Sequence, residues 1–104
     1  MTTSVFRFTF ASGVDIRDVE STLQLSILAA EGLFGEARVR MDASYLADAP
    51  RSVIVVDGST SVGDAIVRIY AGLLTREIGA DAFHVRRMTA PPSKSAGAAT
   101  GAAA

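Results

Sequence analysis

The sequence predicts an α+β sandwich, a four-stranded antiparallel sheet with two helices on one face. Two observations carry that expectation. A strand-helix-strand pattern runs twice along the 104 residues, first over 5–10, 15–34 and 37–45, then over 52–57, 61–78 and 83–88. Each predicted strand and each predicted helix also supplies one apolar face, and only mutual burial hides all of them.

The first strand is the clearest element. Val5-Phe6-Arg7-Phe8-Thr9-Phe10 alternates strictly, with the phenylalanines on one face and Val5, Arg7 and Thr9 on the other. Ala11-Ser12-Gly13 turns the chain, and Asp15 is placed to cap a helix whose Ile16, Val19, Leu23, Ile27, Ala30 and Phe34 form one stripe. Gly32 or Gly35 ends it. Residues 37–45 alternate again, with Ala37, Val39, Met41 and Ala43 opposed to Arg38, Arg40, Asp42 and Ser44, and they read as the second strand. Leu46 to Pro50 link it to the third strand, where Val53-Ile54-Val55-Val56 is β-branched on both faces, as a central strand would be. Ser61 with Asp64 resembles a capping box, and Val62, Ile66, Ile69, Leu73 and Ile78 form the second helical stripe. The last strand echoes the second, Phe83-His84-Val85-Arg86 lining up with Ala37-Arg38-Val39-Arg40.

Two such β-α-β units of this length predict a ferredoxin-like βαββαβ sandwich, with the first and third strands central. The predicted core is Phe6, Phe8, Phe10, Val19, Leu23, Ile27, Ile66, Ile69, Leu73 and Val85. Tyr45 and Tyr70 read as packing residues with solvated hydroxyls. Residues 1–88 form one domain, and 89–104, rich in Pro, Ala and Gly, read as a disordered tail. A chain of this size buries roughly 60–65% of the surface its unfolded form exposes, enough for one core without staples.

Composition narrows function by exclusion. There is no cysteine, so disulfides, thiolate metal sites and thiol nucleophiles are ruled out, and a cytoplasmic location is expected. A net charge of −1 gives no general attraction to nucleic acid or a membrane surface, and no apolar run reaches the roughly 20 residues of a membrane span. The Met-Thr-Thr-Ser start, followed by Val-Phe-Arg-Phe, shows no secretory signal. No cofactor or metal is expected.

The helix-free face of the sheet is the expected working surface. Alternation points Arg7 outward from the first strand, Arg38 and Arg40 from one edge, and His84 and Arg86 from the other. Beneath them the third strand offers Val53 and Val55, or else Ile54 and Val56. An apolar middle inside an arginine rim is the anatomy of a contact surface. The same arginines could instead hold phosphate, which needs charge alone. RNA-recognition modules share the topology, but the third strand has no aromatic residue on which bases could stack. Asp57-Gly58-Ser59-Thr60-Ser61 could present amides to an anion, yet it has no lysine and carries Asp57. His84, the one histidine, has no orienting partner in the sequence pattern, so no catalytic residue is assigned. Ala11-Ser12-Gly13-Val14-Asp15 is similar in position to the ligand-binding turn of ACT-type regulatory domains, which implies a small-molecule regulatory role.

The expected function is therefore non-enzymatic, an accessory or assembly role. The expected partner is a second copy in a homodimer, or another protein, met through Arg7, Arg38, Arg40, Val53, Val55, His84 and Arg86. Nucleic acid is the alternative, less favoured partner, and no membrane partner is expected.

Overall fold

Strand β1 (Thr3–Phe10) carries the alternating phenylalanines into the middle of the sheet. The structure, a computed structural model, describes residues 3–90. After β1 come helix α1 (Ile16–Phe34), helix α2 (Glu36–Asp42), strands β2 (Tyr45–Asp48) and β3 (Val53–Asp57), helix α3 (Ser61–Glu77), a 3-10 turn at Ala80–Ala82, and β4 (Phe83–Ala90). The sheet order is β2-β3-β1-β4, antiparallel at every junction. The protein is thus α+β, a four-stranded antiparallel sheet with three α-helices.

The inward face of β1 sets the core. Phe8 and Phe10 are buried, and Phe8 lies between Ile54 of β3 and Val85 of β4 in the strand register. Ile54 and Val56 share that face, and Val19, Leu23 and Ala30 of α1, Val39 of α2, and Val62, Ile66, Val67, Tyr70 and Leu74 of α3 close over it. The α1 stripe is as the sequence predicts, with Asp15 accepting the Arg17 amide at 2.9 Å and Gly35 ending the helix at φ 89°. Ser26 and Thr22 are buried with it, Ser26 donating its hydroxyl back to the Thr22 carbonyl at 3.0 Å and Thr22 donating to the Glu77 carboxylate at 2.6 Å.

Three expectations give way. Residues 36–42 are helix α2, not a strand, so the sheet carries three helices rather than two, and the echo between 37–40 and 83–86 is broken. The physical reason is local. Glu36 pairs with Arg40 at 2.6 Å and Arg38 with Asp42 at 3.7 Å, both i,i+4, in a segment of good helix formers where only Val39 is buried. The second strand is instead Tyr45–Asp48, a segment that reads in the sequence as a link. On α3 the buried face is rotated by one residue from the predicted stripe. Val67, Tyr70 and Leu74 are buried, while Ile69 and Leu73 are only half-buried and lie outside the core cluster. The helix starts at Ser61 as the sequence predicts, but Thr60 rather than Ser61 is its cap, accepting the Gly63 amide at 2.9 Å. Finally, β4 runs to Ala90, past the predicted end at 88, and Thr89 pairs with Ser4. The predicted disordered tail beyond that point lies outside the described residues.

Tyr70 explains the rotation of α3. Its ring is fully buried, 4.8 Å from Phe8, and its hydroxyl donates to the Val19 carbonyl at 2.7 Å, so the phenol is not solvated. Burial, reinforced by the charge of Glu20, pushes its pKa well above the ordinary phenol value. A raised folded-state pKa means that this contribution to stability is complete below about pH 10, where the unfolded phenol titrates, and is lost as pH rises beyond it. Tyr70→Phe should cost about 1 kcal/mol at neutral pH. It should also flatten the loss of stability above pH 10, read from urea midpoints at pH 7 and pH 11.

Candidate contact surface

The strand register fixes what the helix-free face presents, because side chains alternate along every strand. Three rows cross the sheet. The middle row is Leu46 of β2, Val55 of β3, Arg7 of β1 and Arg86 of β4. On one side lies the row Asp48, Val53, Thr9 and His84, and on the other Asp57, Val5 and Met88. Ile54 and Val56 face the helices, so the third-strand pair on the open face is Val53 and Val55.

This face is apolar at its centre and only partly covered. Leu46 is 69% exposed and Met88 42%, whereas Val5 and Val55 are half-buried and Val53 is buried. The side chains leave two shallow depressions. One of about 250 Å³ is bounded by Val5, Arg7, Leu46, Val53, Val55 and Met88, with Asp48 and Arg51 at its end. The other, of about 260 Å³, lies over Val5, Leu46, Val55 and Asp57 beside Tyr45. Natural surfaces seldom leave a contiguous apolar strip of this kind without a use.

Charge on the strands of the face is segregated, Arg51 in the turn beside Asp48 being the exception. Arg7 and Arg86 sit directly opposite each other on β1 and β4, and among the described residues neither forms an ion pair. Two like charges in register are unfavourable unless something else neutralises them. The carboxylates lie on the other half, Asp48 on β2 and Asp57 on β3. Asp48 is 3.7 Å from Arg51, a solvent-exposed pair that contributes little.

Not every predicted residue is brought here. Arg7, Val53, Val55, His84 and Arg86 share the face, but Arg38 and Arg40 do not. They project from α2, where each pairs with a carboxylate of its own helix and Arg38 also lies 5.0 Å from the Phe34 ring centroid. Leu46, Val5, Met88, Asp48 and Asp57 complete the surface instead. Val5, Asp57 and Met88 follow from alternation, whereas Leu46 and Asp48 emerge only from the register, since they read in the sequence as part of a link.

The other candidate places are less furnished. In the turn after β3, the Asp57 carboxylate itself accepts the Ser59 amide at 2.9 Å and the Ser59 hydroxyl at 2.6 Å, occupying donors an anion would need. In the turn after β1, Gly13 takes φ 94°, and Ala11 borders a cavity of about 230 Å³ with Phe10, Asp81, Phe83 and His84. His84 is exposed and makes no side-chain hydrogen bond among the described residues. A second exposed apolar group lies on α1, with Leu25, Leu28 and Leu33. No helix among the described residues is long and apolar enough to cross a membrane.

Among known proteins, no family model matches the chain and no curated protein matches it.

Proposed function

We propose that this protein is a non-enzymatic accessory or assembly protein that works by protein-protein contact through the helix-free face of its sheet. Its scaffold, in the same reading, is a ferredoxin-like sandwich with α2 added ahead of the second strand; the central position of β1 and β3 supports this. The observation that carries the functional reading is the exposed apolar strip from Leu46 through Val55 and Val5 to Met88, adjoined by Arg7 and Arg86, which lack carboxylate partners among the described residues. Such a strip loses water favourably against a partner, and arginine suits a contact surface because its planar guanidinium both pairs with carboxylates and lies flat on apolar groups.

An anion-binding role for the same face has less support. Arg38 and Arg40 have left it for α2, while Asp48 and Asp57 remain on it, so its formal charge is close to balanced. A nucleic-acid module would show affinity falling steeply with salt, one step per phosphate neutralised.

Leu46→Glu is the direct test, because the side chain is exposed and the fold does not depend on it. Its stability should stay within about 0.5 kcal/mol of wild type. Whatever associates with the wild type, a second copy or another protein, should be lost from Leu46→Glu and kept by Leu33→Glu on α1, as read by sedimentation velocity. Retention of association by Leu46→Glu would refute the sheet-face reading.

A further inference from the structure

The segregation of charge specifies what the partner of this face is. We infer that the occupant is a second copy of this chain, packed face to face about a two-fold axis parallel to the strands; this rests on the sheet face being the contact surface.

The argument is one of symmetry. Two sheets packed face to face lie about 10 Å apart with their strands within about 30° of alignment. A two-fold axis between them has two simple orientations. An axis perpendicular to the strands that passes over the middle row lays each strand over its own copy and that row over itself. Arg7 and Arg86 would then meet their own counterparts, collecting four unneutralised guanidiniums in one place, an arrangement that like-charge repulsion disfavours. An axis parallel to the strands exchanges β1 with β3 and β2 with β4, because the sheet order is β2-β3-β1-β4. Each row is then laid over itself in reverse. Arg86 covers the partner's Leu46, Arg7 covers the partner's Val55, and His84 covers the partner's Asp48.

The charges now match. Asp48 lies one row from the partner's Arg86, and Asp57 one row from the partner's Arg7, within reach of an arginine side chain. The cationic half formed by β1 and β4 meets the half formed by β2 and β3, which carries both carboxylates. Each guanidinium stem also lies on an apolar residue, Leu46 or Val55, which is how arginine packs at interface margins.

The experiment exchanges charges across the predicted contact. Arg86→Asp and Asp48→Arg, each alone, should raise the dimer dissociation constant about tenfold or more, since each change occurs twice in the dimer. The double variant R86D/D48R should restore the wild-type constant to within a few-fold, measured by sedimentation equilibrium at low salt. Asp48→Asn, which keeps the size of the side chain, should shift the constant in the same direction as Asp48→Arg by less. Single variants that weaken the dimer without rescue in the double variant would overturn the strand-parallel axis. The contact-surface reading would still stand if Leu46→Glu dissociates the dimer. A wild-type protein that stays monomeric at every concentration would overturn the second copy as occupant. A dimer indifferent to Leu46→Glu and to all these variants would overturn both readings.

Discussion

Phe8→Ala should remove about 3–5 kcal/mol, the largest single loss among the core positions. The ring is fully buried in the central strand, 4.8 Å from Tyr70 and 6.4 Å from Phe83 by ring centroids. Its neighbours in register, Ile54 and Val85, are held by backbone pairing on both sides and cannot move in to fill the space. The cost is therefore both the lost transfer of the ring from water and a residual cavity. A domain of this size is stable by only about 5–15 kcal/mol, so the variant should sit near its unfolding transition. Urea denaturation with an unchanged slope and a much lower midpoint checks this. A shift under about 1 kcal/mol would mean the site collapses around the missing ring, contrary to the rigid packing described.

Gly63→Ala is the second. By helix propensity alone the change should stabilise α3 by about 1 kcal/mol. The contact decides otherwise. A methyl group at Gly63 would overlap the Asp57 carbonyl oxygen, a backbone atom of β3 that cannot rotate away. α3 approaches the strand end closely here because Thr60 caps it, with Thr60 Oγ1 held by the Gly63 amide and donating to the Asp42 carbonyl at 3.3 Å. Relieving the overlap means moving the helix start, which typically costs 1–3 kcal/mol, about twice the propensity gain. Net destabilisation on thermal unfolding is expected, and a rise in melting temperature would contradict it. Gly72, on the same helix with open space around it, is the control where Ala should stabilise.

Strong local signals in the sequence correspond to what the structure holds. Three phenylalanines in alternation admit one orientation, since the reverse would bury Arg7 without a partner. Asp15 and Gly35 bracket α1 by cap chemistry that needs no tertiary context. Residues 36–42 were ambiguous because seven residues with one buried valine satisfy a strand period and a helix period equally well. The pairs Glu36–Arg40 and Arg38–Asp42 were the available helix signal, and they point to α2. α3 is apolar around much of its circumference, so its stripe could not be chosen until the Val19 carbonyl claimed the Tyr70 hydroxyl. The contact surface was half visible. Arg7, Val53, Val55, His84 and Arg86 follow from alternation once the sheet is assumed. Leu46 and Asp48 do not, because their place depends on pairing partners nine and five residues away, Val55 and Val53.

The exposed leucines of α1 provide an internal reference for the measurement that tests the contact surface most directly. Methyl relaxation by a soluble paramagnetic probe, recorded below and above the concentration at which the protein associates, reports which apolar groups lose contact with solvent. The methyls of Leu46, Val55 and Met88 should become protected on association while those of Leu25, Leu28 and Leu33 stay as accessible as before. Protection of the α1 leucines with an unchanged sheet face would contradict the account.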